Sequence, residues 1–261
     1  MPSGVAAVVA PLAQSGIDIR DRSEDVGCVA ENGTFCFGWI ADNYDRYVTP
    51  TLEHLVLVGV SVVAGFLIAF SLALLSHRQR WLIPTFTGAT GILYTIPSLA
   101  FFALLLPITG RGMTTAIIAL TAYALQIIYR NMVTGLSNVP EGARDAGRGM
   151  GMTDNQLFWR VELPLSVPEI IAGLRIATVS TVAIATLAFI AGGGGLGTEI
   201  YDQIDFKTNL LFAGGLCVLM AITFDLMLVI LQAFLTPWRS PSGRGGHRSR
   251  RFLELFRRTA T

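Results

Sequence analysis

The chain has 261 residues, 52% of them apolar and only 14% charged, with a mean hydropathy of +0.57. A single soluble domain of this size rarely shows such a balance, so the composition points to an integral membrane protein. The formal net charge of +1 carries no information about a nucleic-acid partner, because the charges are segregated along the chain.

The opening run MPSGVAAVVAPLAQSG is mildly apolar, but it lacks a basic start and Pro11 interrupts it, so it is not read as a signal peptide. A polar tail follows. Before residue 50 it holds seven acids, from Asp18 to Asp45, against three arginines. Cys28 and Cys36 lie in this tail and Cys217 in an apolar run, with none of the CxxC or Cys/His spacing of a metal site. In an oxidising compartment Cys28 and Cys36 can form a local disulfide; otherwise they are two free thiols.

Five stretches are long and apolar enough to cross about 30 Å of hydrocarbon, which takes roughly 20 helical residues. They are expected near 52–75, 85–107, 113–133, 171–191 and 210–235. The first ends at the basic cluster SHRQR. In the second, Pro97 should kink the helix and Pro107 should close it. The fourth should begin after Pro168 and end in GGGGLG, and the fifth should stop at Pro237. The chain therefore divides into a polar tail at 1–49, a five-span unit at 50–236 and a basic tail at 237–261. Fourteen arginines fall on one side of these spans, including Arg78, Arg80, Arg130, Arg144, Arg148, Arg160, Arg175 and seven from Arg239 onward. The other side has Arg20, Arg22, Arg46, Arg111 and Lys207. Positive charge is retained in the cytoplasm, so the N-terminus is predicted outside and the C-terminus inside.

Between the third and fourth spans lies a polar stretch, about 134–170, that this orientation puts in the cytoplasm. SNVPEGARDAGRGMG predicts a short helix capped by Ser137 or Asn138 and stopped at Gly149 or Gly151. TDNQ reads as a capping box, Thr153 with Gln156, opening a second short helix that Pro164 should end. Ser166 and Glu169 repeat the spacing and should open the fourth span. Leu157, Phe158 and Val161 share one face of the second short helix, where they can present apolar knobs to a soluble partner. The plainer alternative is a solvated connector.

The run DAGRGMGMTDNQLFWRVELP resembles the coupling-loop signature of ABC importer permeases: Glu-Ala-Ala, three residues, Gly, nine residues, Ile, one residue, Leu-Pro. Asp145, Ala146 and Gly147 fill the first places, Gly151 the glycine, Val161 the isoleucine, and Leu163 and Pro164 the end. Asp for Glu, Gly for Ala and Val for Ile are small departures. The resemblance covers about 50–235 and implies an all-α polytopic membrane protein with a five-helix type I ABC importer permease core. By the same resemblance this loop docks on cytoplasmic ABC ATPase subunits, which bind the ATP and Mg while this chain holds no cofactor. The remaining partners would be a second permease, identical or paralogous, and an extracytoplasmic solute-binding protein, in a bacterial plasma (inner) membrane. Gly151 would permit a tight turn that a side chain would obstruct. YTIPSLAFFALLLPITG, IIYRNMVTGLSNVP and AGGGGLG further resemble permeases for glycine betaine, carnitine and choline.

GGGGLG at 192–197 lacks the Gly-Lys-Ser/Thr of a phosphate loop and is read as a flexible helix end and outer turn. Polar groups inside a membrane usually face the bundle interior or a wet path. Asp225 can attract a cationic solute or bond a neighbouring helix, and Gln126 lies in the third span. With Tyr94 and Pro97 these make a candidate translocation path. Tyr94, Phe101, Phe102 and Tyr123 can also offer aromatic faces to a quaternary ammonium. His54, near an outer interface with Glu53, is read as an interfacial residue, since no second ligand sits at metal spacing. The C-terminal run PSGRGGHRSRRFLELFRR reads as an interfacial segment on anionic lipid, not a nucleic-acid site. Rival readings are a carrier driven by an ion gradient, with Asp225 as its coupling carboxylate, and an ABC permease for another solute such as an amino acid. No catalytic constellation appears in the spans.

Overall fold

A computed structural model describes residues 23–238, which are helical with no strand among them. Two short helices, α1 (Ser23–Ala30) and α2 (Phe37–Asn43), precede the long α3 (Asp45–Arg78). Next come α4 (Leu82–Thr95), α5 (Ser98–Thr109) and α6 (Met113–Ser137). At one end of the molecule are α7 (Glu141–Gly149) and α8 (Asp154–Leu157), which leads into α9 (Leu163–Ala185). At the other end, α10 (Leu196–Asp202) precedes α11 (Lys207–Leu235). Both tails beyond these residues, including the basic segment after Arg239, lie outside the described residues.

Four continuous helical rods pass the length and hydropathy test for a membrane span: α3, α6, α8 through α9, and α11. The expected second span is not one helix. Its halves, α4 and α5, are bent by 96° at Ile96–Pro97. A residue before proline is driven out of the helical region, and Ile96 has ψ 127°. The Tyr123 hydroxyl donates to the Ile96 carbonyl that this break leaves free. Pro107 does not close α5, which runs on to Thr109 and stops at Gly110, where φ is +75°.

The fourth rod also differs from expectation. A π-helical turn at Phe158–Glu162 joins α8 to α9, so the helix passes through Pro164 and Pro168 without stopping. A proline lacks an N–H and strains the preceding turn. The widened turn lies just before Pro164, where the hydrogen-bond register must slip in any case. Ser166 does not cap a new helix; its hydroxyl bonds back to the Leu163 carbonyl.

α6 lies at the centre, packed between α3 and α9, while α11 sits at the edge with little of its surface covered. Small residues make the close packing possible. A Cβ on Gly65 of α3 would stand 3.1 Å from that of Ala124 on α6, and one on Gly173 of α9 would overlap the Asn131 side chain. Ala69, Ala116, Ala119, Ala124, Ala177 and Ala185 are all fully buried along these seams.

The end opposite α7 is held by polar contacts. The glycine-rich segment after α9 is an ordered, packed turn with positive φ at Gly192, Gly194 and Gly195. Glu53 accepts from the Gly195 amide at 2.8 Å. His54 points into the protein: it is fully buried, with Nε2 3.1 Å from the Val182 carbonyl oxygen. Of the two states open to Cys28 and Cys36, the structure has the disulfide, with Cα atoms 5.9 Å apart. The loop it closes bonds to the start of α11, where Asn32 accepts from the Lys207 amide and Thr208 donates to the Gly33 carbonyl.

A side chain at Gly173 must push α9 from α6, since what it meets is the root of Asn131. Gly173→Val is therefore expected to destabilise the protein by about 1–3 kcal/mol. A lowered unfolding midpoint in detergent, with normal midpoints for a substitution at the exposed Leu219, checks this.

Candidate coupling loop and translocation path

The exposed end of the molecule is built on α7 and α8. Pro140 is extended and precedes α7, with Glu141 in the first turn and Arg148 in the last, both favourable to the helix dipole. No side chain caps its start, so the caps expected from Ser137 or Asn138 are absent. Its C-terminus closes in a Schellman arrangement. The Met152 amide donates to the Gly147 carbonyl at 3.2 Å and the Gly151 amide to the Arg148 carbonyl at 2.9 Å. This requires the left-handed backbone that Gly151 adopts, with φ +77°. Among the described residues, no atom beyond Gly151 and its two chain neighbours lies within 4 Å of where a Cβ on Gly151 would be. The demand for glycine inside this chain is thus conformational; no neighbour would obstruct a side chain. Thr153 then opens α8 with both bonds of the capping box to Gln156.

The apolar face of α8 turns inward, against expectation. Leu157 and Phe158 are only 3% and 4% exposed, and Leu157 packs on Gly147. The short helix spends its apolar face on holding α7 to the bundle. What the loop offers outward is the other surface: Asp145, Ala146, Arg148 and Gly149, with Met150 70% exposed at the tip beside Gly151. Val161, Leu163 and Pro164 lie partly covered in the π turn and the start of α9, where they carry the loop into the span. A proline after a helix pattern is ambiguous in sequence, which is why the stop was misplaced.

Behind this surface is a charged cluster with no signature in sequence. Glu162, 5% exposed, accepts from Arg144 Nε at 2.8 Å and faces His77 Nε2 at 3.0 Å. Arg144 Nη2 also donates to the Leu136 carbonyl at 2.7 Å.

The sequence profile of the binding-protein-dependent transport system inner membrane component family matches residues 61–241, from within α3 to beyond α11. The chain belongs to this family. Among its relatives, the osmoprotectant import permease protein OsmW of Salmonella typhimurium is 37% identical over 76% of this chain and 96% of its own length. The choline transport system permease protein OpuBB of Bacillus subtilis is 36% identical over 76% and 93%. The glycine betaine/carnitine/choline transport system permease protein OpuCB of the same organism is 35% identical over 76% and 93%. A solved structure of the MetNI methionine ABC transporter has the same fold, with a TM-score of 0.66 over 73% of this chain and 96% of that one, at 23% identity.

In this transport-system membrane component, the structure divides the expected path residues into two groups. Tyr94, Pro97 and Gln126 gather at the break between α4 and α5, on the side facing α6. Tyr94 meets Tyr123 edge to face at 5.7 Å, and Gln126 lies beside Gly91. Gln126 is 8% exposed and its Oε1 has no hydrogen-bond partner among the described residues. Of the four aromatics offered for a quaternary ammonium, Phe101, Phe102 and Tyr123 are buried core, and only Tyr94 keeps an open face.

Asp225 stands apart, on α11. Both its oxygens are taken by Arg175 of α9, Nε to Oδ1 at 2.7 Å and Nη2 to Oδ2 at 2.8 Å. Arg175, counted among the charges at the cytoplasmic ends of the spans, therefore lies within a span and joins two of them. A bidentate pair holds geometry more tightly than a point contact. Removing one partner inside a bundle strands the other charge, whereas removing both does not. Arg175→Met and Asp225→Leu are each expected to lower the unfolding midpoint more than the double Arg175→Met/Asp225→Leu variant does. Equal or additive losses in this cycle would show that the pair does not clamp α9 to α11.

Proposed function

We propose that this chain is the transmembrane permease of an ABC importer that brings quaternary-amine osmoprotectants such as glycine betaine, carnitine or choline into a bacterial cell. The single observation that carries this reading is the exposed turn at Met150–Gly151. It closes the loop that matches the coupling signature, in a chain whose relatives are named for those solutes. The ion-gradient reading rested on Asp225 as a carboxylate open to a cation, and that carboxylate is held by Arg175.

On this reading the α7 end is cytoplasmic and the disulfide-closed end faces outward. An ATPase subunit receives the surface formed by Asp145, Ala146, Arg148 and Met150. The left-handed Gly151 lets the chain turn flush beneath that surface. ATP and Mg bind on the partner, and closure of two ATPase subunits moves α7 and, with it, the rod from α8 to α9. A second permease completes the passage. A solute-binding protein delivers solute at the outer end, where the Cys28–Cys36 loop and the glycine-rich turn make an ordered surface. Selectivity then resides mainly in that binding protein, and Tyr94 and Gln126 at the break in α4–α5 give the solute a weak, polar and aromatic contact.

Labelled glycine betaine uptake, in cells lacking the gene and in the same cells complemented with it, tests the reading. Complementation is expected to restore uptake, and ATP depletion to remove it. Gly151→Asp is expected to reduce uptake to the level of the deletion while the protein still inserts. Asp strains the left-handed backbone at this position, so a normal amount of inserted, ATPase-bound protein is the control that assigns the loss to the turn's contact with the partner. Normal uptake by Gly151→Asp would refute the docking role of the turn. Restored uptake that survives ATP depletion would refute the ABC mechanism.

A further inference from the structure

We infer that Glu162, gripped by Arg144 and facing His77, is the joint through which α7 moves three membrane helices together. The inference rests on the reading that α7 receives the motion of the ATPase. It goes beyond that reading in assigning the transmission to three side chains, of which only Arg144 lies in α7.

The geometry is that of a junction. Glu162 closes the π turn at the head of α9, His77 is in the last turn of α3, and the Leu136 carbonyl is at the end of α6. Arg144 contacts Glu162 and Leu136 at once, through two different nitrogens. Leu136 is among the last four residues of α6, whose carbonyls have no partner within the helix. A cation there also meets the negative end of the helix dipole. One guanidinium thus ties α7 to the ends of α6 and α9, and the other oxygen of Glu162 extends the tie to α3.

The remaining attachment of α7 is apolar and slight. Its main packing partners are α8 and the π turn, where Leu157 and Val161 meet Gly147, which has no side chain. Apolar contact of that kind lets a short helix roll or slide. The charged contact does not, because a planar guanidinium holding a carboxylate and a carbonyl fixes both direction and distance. The burial of Glu162 sharpens this. A carboxylate only 5% exposed loses more by parting from its guanidinium than a surface carboxylate would, so it travels with Arg144. His77 is itself held in place, with its ring 4.6 Å from that of Phe158.

The test uses the whole importer, comprising this permease, its ATPase and its binding protein, reconstituted in proteoliposomes with labelled glycine betaine as the probe. Betaine moved per ATP hydrolysed is the first readout. Stimulation of ATP hydrolysis by the binding protein is the second, and it does not depend on solute passing through. Glu162→Gln and Arg144→Gln are expected to co-purify with the ATPase and keep basal hydrolysis. Betaine moved per ATP should fall at least tenfold, and stimulation should be lost. Arg144→Lys should be intermediate, since an ammonium reaches Glu162 or the Leu136 carbonyl but not both. A merely structural role would lower the yield of complex and leave both ratios unchanged.

Ratios within twofold of wild type in Glu162→Gln would overturn the inference. If the glutamine variants do not assemble, the same two ratios are read on Arg144→Lys and His77→Gln, and unchanged values there would overturn it equally. Gly151→Asp, measured alongside, separates the two levels. Loss in Gly151→Asp with normal coupling in Glu162→Gln refutes the joint alone. Normal coupling in Gly151→Asp refutes the docking reading on which the joint depends.

Discussion

Hydrocarbon offers no hydrogen-bond partner to a peptide group, so each span must close its own backbone ladder and can hold its neighbours only by close packing and a few polar contacts. In this protein that constraint is met around α6. Its alanines let α3 approach at Gly65, and Asn131 approaches α9 where Gly173 leaves room. Every other element is placed by reference to this triple seam. α11, joined at the edge, depends on α9 and on the Arg175–Asp225 pair.

The corner between α4 and α5 shows how strictly the constraint applies. At Ile96–Pro97 the chain turns by 96°, and the freed Ile96 carbonyl is taken by the Tyr123 hydroxyl of α6. The break is therefore a built corner, with Tyr94, Tyr123 and Gln126 around it. Irregular backbone at membrane depth is tolerated where it is buried in protein or lines a cavity.

The two ends of the bundle are organised by different chemistry. At the glycine-rich end, backbone amides and carbonyls are taken by side chains: Glu53 with Gly195, His54 with Val182, Thr208 with Gly33. Such contacts stiffen a turn where it stands. At the α7 end, side chains bind helix ends to one another through Glu162, with Arg144 as its charged partner and His77 facing its other oxygen. On the proposed reading, contacts of that kind pass displacement from helix to helix, and the rod from Asp154 to Ala185 extends from them along the molecule.

Sequence alone determined the elements that depend on neighbours a few residues away. Apolar length marked α3, α6 and α11 because burying some twenty residues in hydrocarbon leaves no other option. Thr153 and Gln156 marked the start of α8, because a capping box is a contact over three residues. The spacing from Asp145 to Pro164 marked the loop and, with the relatives it shares, the family. The tertiary structure decided whatever required a partner distant in the chain. Pro97 and Pro164 are the same residue type in apolar surroundings, yet one makes a corner and the other sits inside a helix. The difference lies in Tyr123, 27 residues away in sequence from the carbonyl to which it donates, and in a π turn that no local propensity announces. Leu157 and Phe158 formed an apolar face on paper, but only packing could show that it faces Gly147 and His77 and not a partner. Asp225 could not be told from a solute-binding carboxylate until Arg175, fifty residues earlier, was found across from it. Glu162 carried no signal at all, because its role exists only where α3, α6, α7 and α9 meet.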